Sequence, residues 1–367
     1  MAQLGDLVRA KALMRSATRA FGPKEAVARA RCVVAEAEIA LASRDLNWRA
    51  KSLDAARATL EAHGDQVNAA HAQLLEVRRL LLIGRIDEAE RALAGLDPAP
   101  FPPAARTAYE LVVAGIGMRR LRTKVARTAL ARAEHAARYA RIPALTAEVE
   151  SALGVLNTPA ALLIANGERR LLLLDDVEAL LASKALVVDA CRNVVRQAGN
   201  VVSLAKRPVL FTLARALGEA WPQDVPRDTL VARAFRLKLA DESHRARLRV
   251  EMGRLRRMLH TLADVSATKR GFALKPRRTR EVVVLALPVE EEYAAVLALL
   301  ADGESWSSSA LSLALATSQR TVQRALDSLA VTRKVQSFGR GRARRWMTPP
   351  LPGFTTTLLL PAPLPID

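Results

Sequence analysis

From Lys24 to about Leu156 the chain is built largely of Ala, Leu, Arg and Glu at helical spacing. The pattern breaks at Gly64-Asp65, at Leu96 to Pro103 and at Ile142-Pro143, where a helix cannot easily continue. A stretch with this period has no way to present one face of a sheet, so it predicts helix packed on helix. The clearest unit runs from Val67 to Leu96. Ala70, Leu74, Leu75, Val77, Leu80 and Leu81 form one apolar stripe, Gly84 permits a tight turn, and Ala89, Leu93 and Leu96 form the stripe of a second helix. Further pairs are expected at Pro103 to Met118 with Lys124 to Ala140, and at Ala26 to Ala42 with Trp48 to His63. The units recur every 35 to 40 residues or so, roughly the period of helical repeats. Residues 1–24 carry Arg9, Lys11, Arg15, Arg19 and Lys24 against one acid. They read as an ordinary first helix, since the serine-rich character and cleavage context of a transit peptide are missing.

The string Leu82-Ile83-Gly84-Arg85-Ile86-Asp87-Glu88-Ala89 resembles the turn of a tetratricopeptide repeat. The resemblance implies an α-solenoid over residues 1–160, with a concave surface for a peptide, a partner helix or self-association through residues 24–156. An irregular bundle would show the same periodicity, and a rigid spacer is the plainer role.

Positive charge is concentrated near the other end. Residues 203–280 hold 19 Lys/Arg against 7 Asp/Glu and residues 304–347 hold 8 against 2, which together account for +18 of the formal net charge of +19. Glu290, Glu291 and Glu292 make the stretch between them acidic. Basic clusters neutralise phosphates and release condensed counterions, so double-stranded DNA is the expected partner. A basic helix on a membrane surface is the competing reading, but the arginines lack a Trp/Phe stripe opposite them. No apolar run is long enough to span a bilayer, so no membrane partner is expected. Cys32 and Cys191 lie far apart in the chain, which fits the cytoplasm better than a disulfide framework. His63, His71 and His135 stand singly without metal-ligand spacing, and no metal or other cofactor is expected.

Residues 168–280 open with short β-rich runs at Leu171 to Leu174, Leu186 to Val188, Asn193 to Arg196 and Val201 to Leu204. Three helices are expected next. Leu210, Leu213, Ala214 and Leu217 face inward on the first, and Leu230, Val231 and Ala234 on the second. Leu248, Met252, Leu255, Leu259 and Leu262 do so on the third, leaving Arg245, Arg247, Arg249, Arg254, Arg256 and Arg257 on the remaining surface. A hairpin from Asp264 to Leu274 carries Lys269, Arg270 and Gly271. Val201 to Leu204 with Lys206, then Val225-Pro226-Arg227-Asp228-Thr229-Leu230 ending at Phe235, then Val250-Glu251-Met252-Gly253-Arg254-Leu255-Arg256-Arg257, then Thr268 to Phe272 resemble the effector domain of OmpR/PhoB-type response regulators. That resemblance implies a winged helix in which Arg247, Val250, Glu251 and Arg254 face bases, Arg256 and Arg257 lie nearer phosphates, and Arg270 is the contact from the wing. The wing lacks the usual second glycine, leaving open whether Thr268 or Arg270 takes the groove-facing position. No phosphoacceptor receiver domain precedes the unit, so its regulatory input must come from elsewhere, and the repeat array is available. Winged helices joined to tetratricopeptide arrays resemble the antibiotic regulatory proteins of actinobacteria, although there the DNA-binding unit comes first.

Residues 289–348 read as a second unit of the same kind. A helix from Glu290 to Ala301 turns Tyr293, Val296, Leu297 and Leu300 inward, and Ser307 to Ala316 forms the next. Ser318 is the expected N-cap of a third. There Val322, Leu326 and Leu329 face the core while Gln319, Arg320, Gln323 and Arg324 point away. Gln and Arg pair bidentately with adenine and guanine edges, so this face suits major-groove readout, with Ser318 and Thr321 beside it. The basic hairpin follows, with Arg340, Arg342 and Arg344 around Gly339 and Gly341. The string Ser318 to Leu326 resembles recognition helices of many bacterial winged-helix regulators, and Gly339 to Trp346 their wing. Arg333 stands where a turn glycine is customary. The tail 349–367, rich in proline, reads as a disordered end, an added edge strand or a docking segment.

The expected fold is therefore mainly α with small β-hairpins (α+β): an N-terminal α-solenoid plus tandem winged helix-turn-helix domains. No phosphate-binding glycine loop, Cys/His cluster or Ser-His-Asp arrangement is present, so enzymatic activity is not expected. The leading expectation is a sequence-specific bacterial transcriptional regulator associated with the nucleoid, with RNA polymerase as the further partner such a role implies. A plasmid- or phage-type replication initiator is the alternative, and a solenoid scaffold with non-specific DNA tethering is a third.

Overall fold

The computed structural model describes residues 7–22, 24–46, 50–235, 242–288, 293–300, 304–339, 341 and 344–348. It is mainly helical with small sheets. Two compact units emerge: residues 1–158 together with the described residues after 292, and residues 159–292.

The first unit starts with eight helices: α1 (Leu7–Ala20), α2 (Ala26–Ala42), α3 (Ala50–Ala62), α4 (Gln66–Leu82), α5 (Ile86–Ala94), α6 (Pro103–Arg119), α7 (Thr123–Ala140) and α8 (Pro143–Leu156). Their boundaries follow local chemistry. Asp65 caps α4 by accepting from the Asn68 amide, and prolines occupy the first turns of α6 and α8, where no amide donor is needed. Gly84, at φ +76°, makes the left-handed turn between α4 and α5. α4 is buried on two sides. Leu74, Val77, Leu80 and Leu81 pack with Ala89 and Leu93 of α5 and Ala108, Val112 and Ile116 of α6. Ala69, Ala72 and Leu75 join a different core with α2 and α3, through Val34, Leu41, Leu53 and Leu60. Arg120 pairs with Asp87 and Glu90, fastening the end of α6 to α5.

The second unit centres on a six-stranded sheet in the order β2-β1-β9-β3-β4-β5. Its strands are β1 (Ala161–Ala165), β2 (Glu168–Leu172), β3 (Leu186–Asp189), β4 (Val194–Gln197), β5 (Asn200–Ser203) and β9 (Val282–Ala286), with α9 (Leu174–Ala182) between β2 and β3. β9 runs parallel to β3 and antiparallel to β1, so strands from both ends of the unit close the middle of the sheet. Between β5 and β9 lie α10 (Pro208–Ala220), β6 (Val225–Pro226), α11 (Arg227–Phe235), α12 (Glu242–Leu259), β7 (Ala263–Ala267) and β8 (Gly271–Pro276). The last three strands form a small sheet ordered β6-β8-β7. One core joins Val188, Val195 and Val284 of the large sheet to Leu213 and Leu217 of α10, Leu230 of α11, and Leu248, Met252, Leu255 and Leu259 of α12. A Cβ at Gly218 would sit 3.0 Å from Val284 and 3.1 Å from Val188, so the glycine lets α10 lie close on the sheet.

The chain then returns to the first unit with α13 (Ala294–Leu300), α14 (Ser308–Ala314), α15 (Gln319–Val331), β10 (Gln336–Phe338) and β11 (Arg345–Met347). Trp306 bridges Trp346 of β11, and β11 pairs with β10, giving an extended segment, a hairpin and three helices in a connectivity like that of α10 to β8. Val322, Ala325, Leu326 and Leu329 of α15, with Trp306 and Trp346, belong to the same core as α2, α3 and α4. Arg44, just after α2, lies over the Trp306 ring at 5.7 Å. Glu290, Glu291, Glu292, Arg340, Arg342 and the tail 349–367 lie outside the described residues.

Candidate nucleic-acid interface

α15 owes its position to its two faces. Ser318 caps it, the hydroxyl accepting from the Thr321 amide at 3.2 Å and meeting the Thr321 hydroxyl at 2.8 Å. The inward stripe is almost fully buried, as the spacing predicts. On the outward face Arg320 and Arg324, one turn apart, are exposed and have no partner among the described residues. Gln319 Nε2 donates to the Ser308 hydroxyl at 2.9 Å, and Gln323 Nε2 donates to Asp327 at 3.1 Å. Both amides are thus held in place by exposed groups that a ligand can replace. Beside the helix, the Arg344 guanidinium rests 4.2 Å from the centre of the buried Trp346 ring. The ring face attracts the cation and limits where the guanidinium can go.

The arginines of α12 are arranged differently. Arg245 donates to Asp228 at 3.2 Å, Arg249 to Glu242 at 2.9 Å and Arg254 to Glu251 at 2.7 Å. Arg247 lies over the Phe235 ring at 4.5 Å. Arg256 turns back onto β7, donating from Nε and one Nη to the Val265 carbonyl at 2.9 and 2.6 Å. It therefore serves first to hold α12 against the small sheet. Only Arg257 of the six is exposed without a partner among the described residues. Val250 is 55% exposed in mid-helix, an apolar side chain on an otherwise charged face.

The turn between β7 and β8 is ordered by two side chains that the sequence reading did not single out. Asp224 accepts from the Thr268 hydroxyl at 2.6 Å, and that hydroxyl in turn accepts from the Gly271 amide at 2.8 Å. Arg227 donates to the carbonyls of Lys269 and Thr268, each at 3.0 Å, while its guanidinium lies 5.6 Å from the Phe272 ring centre. Thr268 is thus an internal brace, and Lys269 and Arg270 are the exposed cations of the turn. A Cβ on Gly271 would fall 1.8 Å from the Val225 carbonyl oxygen, so β6 and β8 approach as closely as they do only because that residue is glycine. Asp224 and Arg227 are hard to find from sequence, because their partners lie more than forty positions away.

Among the described residues no group of His, Cys, Asp and Glu is placed to hold a metal ion, and no helix is long and apolar enough to cross a membrane. No protein-family model, curated protein or solved structure matches the chain.

Proposed function

We propose that this protein is a sequence-specific DNA-binding regulator of transcription in which α15 reads base edges and the segments α10 to β8 and α13 to β11 are two winged helices. The observation that carries this reading is the outward face of α15, where Arg320 and Arg324 have no partner among the described residues and are flanked by the amides of Gln319 and Gln323. Those side chains match the donor and acceptor patterns of guanine and adenine in the major groove. Their helix is fixed from behind by a fully buried stripe, so little ordering remains to be done on binding. α12 differs. Its arginines are mostly held by neighbouring acids and a carbonyl, so a contact with DNA would have to exchange those bonds, and the leading contacts to bases are assigned to α15.

Binding of the full chain to a selected duplex tests the reading. Arg324→Ala is expected to lower affinity for the selected site by roughly 1–3 kcal/mol and to relax preference at one base pair. Equal small losses on selected and random duplexes would remove α15 from the reading role. Iterated sites with local melting would favour a replication initiator, and no enriched sequence a scaffold that tethers DNA non-specifically.

A further inference from the structure

Lys11 and Arg15 sit one turn apart on α1, facing a cleft of about 440 Å³ between α1, α2 and the start of α3. Volumes of this size hold small organic ligands. Met14, Val33, Ala37 and Leu53 supply an apolar lining, and Glu36 and Asp45 line the cleft as well. Like charges at i, i+4 repel, and a helix ordinarily relieves this with nearby acids. Here neither Lys11 nor Arg15 has a carboxylate within ion-pair distance among the described residues, and Glu36 is engaged by the Thr18 hydroxyl at 3.0 Å. Arg345 on β11 brings a third positive charge near Lys11, also without an acid partner among the described residues. Burial pushes the Lys11 ammonium below its ordinary value, Asp45 pulls it back only in part, and Arg345 and Arg15 push it further down. Lys11 and Arg15 are matched in number by Glu36 and Asp45 in the lining, and Arg345 near Lys11 leaves one positive charge in excess, which a bound anion would neutralise.

We propose that this cleft binds a small organic anion whose acidic head is held by Lys11 and Arg15, beside Arg345, and whose short apolar body lies against Met14, Val33, Ala37 and Leu53. The proposal does not rest on the nucleic-acid reading. Because Lys11 lies on α1 and Arg345 on β11, the ligand would tie the first helix to the strand beside α15.

Isothermal titration of the full chain with hexanoate, hexyl phosphate, hexylammonium and hexanamide tests it. Saturable one-to-one binding is expected for hexanoate or hexyl phosphate, and whichever binds tighter identifies the head group as carboxylate or phosphate. Lys11→Met and Arg15→Met should each weaken that binding at least about ten-fold, Arg345→Gln by about three-fold, and Lys11→Arg should keep it within about three-fold. Helical circular dichroism of each variant separates loss of binding from loss of fold, and Lys11→Arg retains the charge if Lys11→Met unfolds. Absence of saturable binding by both anions, equal binding of hexylammonium or hexanamide, or binding indifferent to Lys11→Met and Arg15→Met in folded variants would overturn the proposal.

Discussion

Glu219 shows how single side chains set stability in the second unit. It accepts from Arg215 on its own helix and from Arg233 on α11, both at 2.7 Å. Burial works to raise its pKa, and the two arginines outweigh burial, leaving the carboxyl below its ordinary value. A pKa lowered in the folded state means that the stabilisation is fully present above the unfolded value and is lost as pH falls through the folded one. Glu219→Gln should therefore reduce stability at neutral pH by about 1–3 kcal/mol. In urea titrations the gap from the parent protein should then close as pH drops below about 4. A gap of constant size across that range would show that the charge is not what matters. Two glycines make a contrasting pair. Gly271→Ala drives a methyl into the Val225 carbonyl and should cost at least about 3 kcal/mol, whereas Gly253, in mid-α12 with open space around it, should gain about 0.5–1 kcal/mol as Ala. A denaturant midpoint unchanged or raised by Gly271→Ala would contradict the packing described for β6 and β8, and a lowered one for Gly253→Ala would contradict the open space around that residue.

At the level of elements, the turn between β7 and β8 is expected to depend on Arg227. Replacing Arg227 by Ala removes both donors to the carbonyls of Thr268 and Lys269, so amide exchange at residues 268–271 should quicken while α10 and the large sheet stay protected. Unchanged exchange there would mean that the Asp224–Thr268 bond alone orders the turn. This element also marks how far the sequence was legible. The breaks at Gly64-Asp65 and Ile142-Pro143 and the stripes of α4, α12 and α15 were readable, because helical period and turn chemistry are local. The strands β1 and β9 were not anticipated. Their pairing joins residues more than a hundred positions apart, and short apolar runs such as Val282 to Ala286 carry no period that distinguishes strand from buried helix. The six arginines of α12 were expected on the surface, and their bonds to Asp228, Glu242, Glu251 and the Val265 carbonyl depend on tertiary neighbours that spacing does not reveal.

For the molecule as a whole, the consequential fact is that α13 to β11 share a core with α2, α3 and α4, while residues 159–292 have their own. Residues 159–288 produced alone should fold cooperatively. Residues 293–348 produced alone should not, since Val322, Leu326 and Leu329 would lose the neighbours that α2 to α4 provide. A folded 293–348 fragment, seen as dispersed amide resonances, would contradict the shared core. The shared core makes the buried back of α15 continuous with the packing of α2, α3 and α4. In the proposed function α15 reads DNA sequence. That role is tested most directly by selecting bound duplexes from a random library with the full chain and with a Gln319→Ala, Arg320→Ala, Arg324→Ala variant. One enriched motif is expected for the parent protein, with its loss or marked relaxation in the variant. No enrichment by the parent, or the same motif retained by the variant, would contradict it.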